Sequence, residues 1–143
     1  MTVADVNVLV HAFREDAPDH AQYRAWLEAT MAAPGPFGVS ELVLSGVVRV
    51  VTQVAALRDA NVVAEALAYV EAIRAHPQAR PLRPGPTHWS IFVDLCRTTG
   101  VQGGRIADAY HAALAIEHGC EWVTTARDFA RFPGLRWRHP LDA

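Results

Sequence analysis

The sequence predicts an α/β fold, with a mainly parallel central sheet covered by helices on both faces. Short apolar runs of strand length alternate with longer segments of helical period, the pattern of a parallel sheet with helical crossovers. The Pro- and Gly-rich stretches "APGPFG", "HPQARPLRPGP" and "GVQGG" are too short to separate domains. At 143 residues, 51% of them apolar, the chain reads as one domain, 1–143, large enough to bury a proper core.

Residues 2–6 suit a short buried strand. Asn7 can cap a first helix that runs to about Phe13. Residues 18–33 place Ala21, Trp26, Leu27 and Met31 on a helical period, and 37–39, "FGV", form a second short strand. Ser40 caps the next element, "ELVLSGVVRVVTQV". It is rich enough in valine to pass for strand, but its fourteen residues exceed strand length and favour a helix. Asn61 caps an amphipathic helix over 61–76, and 80–83 are a candidate strand. Thr87 caps a helix over 87–99 that Gly100 ends. A further helix over 104–119 stops at Gly119. Strands at 121–125 and 135–137 complete the order.

Composition removes several chemistries. All thirteen basic residues are arginine, so the chain has no Walker A lysine, Schiff-base lysine or Ser-Lys dyad. The net charge of −2 announces no global field for nucleic acid. Arg127, Arg131, Arg136 and Arg138 crowd the C-terminal segment, as a phosphate grip or simply as a solvated basic face. Cys96 and Cys120 lack zinc spacing and read as reduced core thiols of a cytoplasmic protein. No apolar run is long enough to span a bilayer. The seven histidines form no HExxH or HxxxH pair, and no GxSxG marks a serine nucleophile.

Four carboxylates remain. Asp5 ends the first strand, Glu41 opens a helix just past the second, Asp108 lies in the first turn of a helix, and Asp128 lies just past the "EWVTT" strand. In open parallel sheets ligands collect at the carboxyl ends of the strands, so these acids are expected to converge. Convergent carboxylates repel unless a cation neutralises them, and oxygen donors suit Mg²⁺ or Mn²⁺. Such an ion activates water against a phosphodiester. Asn7 would orient a carboxylate or a water. Each acid also has a plainer role, since carboxylates complement helix N-termini and turn the chain. His111, one turn after Asp108, is either beside the site or on a helix surface.

"ADVNVLVHAF", "SELVLSGVVRVVT", "GGRIADAYHAALAIEHGCEWVTT" and "RDFARFPGLRWRHPL" together resemble the PIN domain, in particular VapC-type toxins of bacterial toxin–antitoxin pairs. The likeness covers essentially the whole chain in order. It implies a three-layer α/β/α PIN-like fold and an endoribonuclease that needs Mg²⁺ or Mn²⁺ and cuts structured RNA such as tRNA or rRNA. It also implies a homodimer silenced by a VapB-like antitoxin. Asp5 and Asp108 match the metal-binding aspartates, Glu41 a second acidic position, and Asn7 the polar residue beside Asp5. The family often reads Thr-x-Asp-x-Asp-Phe after the last core strand. Here Ala126 replaces the first of those aspartates and Asp128 stands two residues on, roughly 7 Å further along an extended segment. One well-bound ion, held by Asp5, Asp108 and Glu41, is therefore expected rather than two. Arg105 and Arg127 are candidate phosphate contacts. Two rivals are a phosphotransferase with Asp5 as nucleophile, opposed by Asn7 and the missing lysine, and a PIN-like module that binds RNA or a partner without cutting.

Overall fold

A computed structural model of the chain describes residues 1–53 and 61–142. Its elements are β1 (Thr2–Ala4), α1 (Val6–Phe13), α2 (His20–Ala32), β2 (Phe37–Val39), α3 (Glu41–Thr52), α4 (Asn61–Arg74), β3 (Ala79–Pro81), α5 (His88–Thr99), α6 (Arg105–Glu117), β4 (Glu121–Val123) and β5 (Trp137–Arg138). A 3₁₀ turn spans Arg127–Arg131. The expected alternation is observed, and every strand pairing is parallel.

The strands lie in the order β3-β2-β1-β4-β5. From β1 the chain steps outward to β2 and β3, then returns across the sheet to β4 on the other side of β1. Right-handed crossovers put α1 to α4 on one face and α5 with α6 on the other, which makes three layers. The packing agrees, since α1 rests on α2 and α3, α3 on α4, and α5 on α6. The direction reverses at β1, so a crevice opens between the carboxyl ends of β1 and β4. The core fills the space beneath it. Trp122 and Val123 of β4 and Val8 of α1 are fully buried, and Ala109, Ala112 and Ala113 let α6 lie close to the sheet.

Several expected boundaries move for local reasons. The first strand ends at Ala4, because Asp5 itself caps α1: its Oδ1 accepts the Val6 N–H at 2.7 Å. Asn7 therefore sits in the first turn and is not the cap. Ser40 does cap α3, accepting the Val43 N–H, and the valine-rich segment is helical through Thr52. Val54, the last residue expected there, and the cap position before Asn61 lie outside the described residues. Thr87 precedes α5 without capping it, since its hydroxyl donates to Glu117 Oε2 at 3.0 Å. Gly100 ends α5 with φ of 68°, the left-handed backbone that glycine adopts without strain. The last three strands are shorter or shifted: β3 is 79–81, β4 stops at Val123, and β5 is 137–138.

Candidate metal and phosphodiester site

Asp5 is the best-anchored polar side chain of the crevice and only 7% exposed. Its Oδ2 accepts the Thr124 hydroxyl at 2.6 Å and the Asn7 amide at 3.1 Å, while Oδ1 caps α1. Asn7 Oδ1 in turn accepts the Thr125 N–H at 3.2 Å, and Thr124 Oγ1 accepts the Ala126 N–H at 3.0 Å. One network thus ties the end of β1 to the end of β4 and fixes the carboxylate's orientation. Burial pushes the Asp5 carboxyl above its usual value, against the pull of the bonds from Thr124, Val6 and Asn7.

Asp108 comes from the first turn of α6 and lines the same cleft, a hollow of about 500 Å³ that also meets Asn7, His11, Arg49 and His111. Its carboxyl is raised as well, first by burial and then by the negative charge of Asp5; His111 and Arg105 act against this. His111 is not on the helix surface. Its ring stacks on Trp122 at 5.3 Å, burial holds it below the usual histidine range, and its buried Nδ1 has no hydrogen-bond partner. A carboxylate raised by burial, beside a half-buried one raised by burial and by its neighbour's charge, makes a donor pair in want of a cation. Their oxygens, with the Asn7 amide alongside, suit a hard ion of the magnesium type.

The other expected ligands go elsewhere. Glu41 is exposed and its Oε2 accepts from Arg74 Nε at 2.9 Å. As the first residue of α3 it lines hollows bounded by Arg83, not the Asp5 cleft. Asp128 is held by the Arg105 guanidinium, which keeps its carboxyl below the ordinary range. The segment that carries it is a 3₁₀ turn, not the extended segment that would have kept it on the same face as Ala126. Arg127 pairs with Asp142 at 3.1 Å, so neither candidate phosphate contact has a free guanidinium. Among the described residues no three of His, Cys, Asp and Glu come together as metal ligands, and two of the four carboxylates converge rather than all. Ala126 lines the cleft and brings no carboxylate to it.

Sequence reasoning passed over Thr124 and Arg49. A hydroxyl next to the last buried residue of β4, opposite Asp5 across a parallel register, was the available sign for Thr124. Arg49 could have been found from Gly46 one turn before it. A Cβ at Gly46 would stand 2.9 Å from Val6 Cγ2, so α3 crosses α1 closely beside Asp5.

A family model described as PIN domain matches residues 2–135. The chain is 44% identical over 142 residues to VapC ribonuclease Mb2897 of Mycobacterium bovis, covering 99% of this chain and 97% of that one. It is 39% identical over 140 residues to ribonuclease VapC25 of Mycobacterium tuberculosis, covering 98% and 99%. Among solved structures it superposes on VapBC2 from Rickettsia felis bound to a promoter DNA fragment, with a TM-score of 0.68, 18% identity and coverage of 95% and 96%. FitAcB from Neisseria gonorrhoeae matches with a TM-score of 0.62 at 18% identity over both full chains. These structural likenesses speak for the fold.

Proposed function

The chain belongs to the PIN-domain family, and from that membership we propose that it is a single-domain endoribonuclease, the VapC-type toxin of a toxin–antitoxin pair. The observation that carries the reading is the Asp5–Asp108 pair, the two carboxylates of the cleft that form no ion pair with an arginine among the described residues. Relatives named VapC ribonuclease over nearly the whole chain support the activity. Neighbours solved as VapBC and FitAB assemblies support a VapB-like antitoxin as partner. We assign tRNA or rRNA as substrate, the cytoplasm as the place of action and a homodimer as the working form. No described helix is long and apolar enough to cross a membrane.

Asp5 and Asp108 would hold one Mg²⁺ or Mn²⁺. The bound ion supplies charge neutralisation and Lewis acidity at the scissile phosphate. The chain's own residues do the rest. Thr124 and Asn7 lock Asp5 in one rotamer before the substrate arrives, so no reorganisation is needed at reaction time. His111, packed on Trp122, lines the floor of the cleft. Glu41 and Asp128 stay with their arginines at the rim.

The test is cleavage of purified tRNA and rRNA with Mn²⁺, with and without chelator, beside Asp5→Ala and Asp108→Ala. Metal-dependent cutting by the wild type alone is expected. Intact RNA throughout, or equal cutting by the variants, sinks the assignment. Ala126 favours the second reading, a module that binds RNA or a partner without cutting. Tight binding with no cleavage in the same assay would select it.

A further inference from the structure

Arginine is the only basic side chain available to this protein, and most described guanidinium groups are already occupied. Arg74 holds Glu41, Arg105 holds Asp128, Arg127 holds Asp142 and Arg138 holds Glu121, while Arg136 donates to the Gly119 carbonyl. Arg49, Arg83 and Arg97 show no side-chain partner among the described residues. Of the three, Arg49 alone lines the cleft of Asp5 and Asp108. It sits in the last turn of α3, exposed, one turn beyond the close crossing of Gly46 over Val6. Residues three and four apart share a helix face, so the crossing that brings Gly46 onto α1 also brings Arg49 and Val50 to the cleft wall. Arg49 lines the hollow together with Asp5 and Asp108 yet forms no ion pair with either.

We propose that Arg49 is a phosphate clamp of the cleft, gripping a backbone phosphate of the RNA whose scissile linkage lies at Asp5 and Asp108. The inference rests on the ribonuclease reading. A phosphodiester is the group that satisfies both walls at once: its charge is drawn to an ion at the carboxylates, and its non-bridging oxygens match the planar fork of donors across the gap. Asp128 and Asp142 keep Arg105 and Arg127 from this work, and among the described arginines Arg49 is the one left in the cleft to do it. Such a contact positions the strand without reading its bases.

The experiment is binding of fluorescent tRNA in chelator across a salt series, followed by cleavage kinetics in Mn²⁺. Arg49→Gln should weaken binding about tenfold, flatten the dependence of log affinity on log salt by roughly 0.7–0.9, and raise KM more than it lowers kcat. Arg49→Lys should restore the salt slope and only part of the affinity, because the point charge returns without the fork. Arg97→Gln, on exposed α5, should match wild type. Equal affinity and slope for Arg49→Gln and wild type, with the wild type still cutting RNA, overturn the clamp alone. A wild type that neither binds nor cuts RNA overturns the clamp and the ribonuclease assignment together. Should Arg49→Gln melt early, Arg49→Lys decides: full wild-type affinity from lysine also overturns the fork-shaped contact.

Discussion

The floor and the rim of the crevice both carry carboxylates at strand ends, yet they are built oppositely. On the floor, Asp5 is buried, bonded by Thr124, Asn7 and the Val6 amide, and forms no ion pair among the described residues. On the rim, Glu41 and Asp128 are exposed and each is held by an arginine. Position in the fold brings acids to this end of the sheet. Whether an acid can bind metal depends on whether its charge has been answered, and the fold answers two of the four.

The largest expected break in that contrast comes from removing a floor carboxylate. Asp5→Ala or Asp108→Ala should lower RNA cleavage on the order of 10³-fold, since the ion they would hold would supply several kcal/mol at the transition state. Loss below tenfold in single-turnover assays would place the chemistry elsewhere. Asn7→Ala should cost about 10–100-fold in metal affinity or rate, the usual scale for a residue that orients a ligand. Titration of Mn²⁺ against the variant measures it, and an unchanged affinity would leave Asn7 as packing alone.

Asp108→Asn should raise the melting temperature of metal-free protein at pH 7, by about 0.5–2 kcal/mol of stability. The sign follows from the raised carboxyl. The fold binds that proton more tightly than the unfolded chain does, so the side chain favours folding below the ordinary value of 3.8 and opposes it once pH has risen past the folded value. The gain should vanish in acid and reverse when Mn²⁺ is added. A melt that is no higher than wild type in chelator at pH 7 would mean that the floor charge is already compensated. The smallest effect belongs to the rim. Glu41→Gln breaks an exposed pair and should shift stability by less than about 1 kcal/mol and cleavage by less than about threefold. A loss as deep as that of Asp108→Ala would return Glu41 to the ligand set and erase the contrast.

Periodicity and capping chemistry made much of this legible from residues alone. "FGV" at 37–39, the Ser40 cap and the left-handed Gly100 and Gly119 are found where the pattern put them. Asp5 stood out because a charge inside an apolar run needs partners. What the sequence could not show was which acids meet arginines, because those pairs join residues far apart in the chain: Glu41 with Arg74, Asp128 with Arg105. The same limit hid Thr124, 119 positions from the carboxylate it serves. The role of cap passed from Asn7 to Asp5 for a local reason. A side chain that ends a strand at the mouth of a helix meets the first free N–H before its neighbour can.

The close crossing at Gly46 works as a gauge. Because Gly46 brings no side chain against Val6, α3 lies closer to α1 beside the cleft than a methyl group there would allow. An alanine there would press on Val6 and lever the end of α3 outward, carrying the Arg49 guanidinium with it. A single carbon atom, distant from any reacting group, thus calibrates the span between an anion's two anchors. The fold holds a ruler as well as a pair of carboxylates.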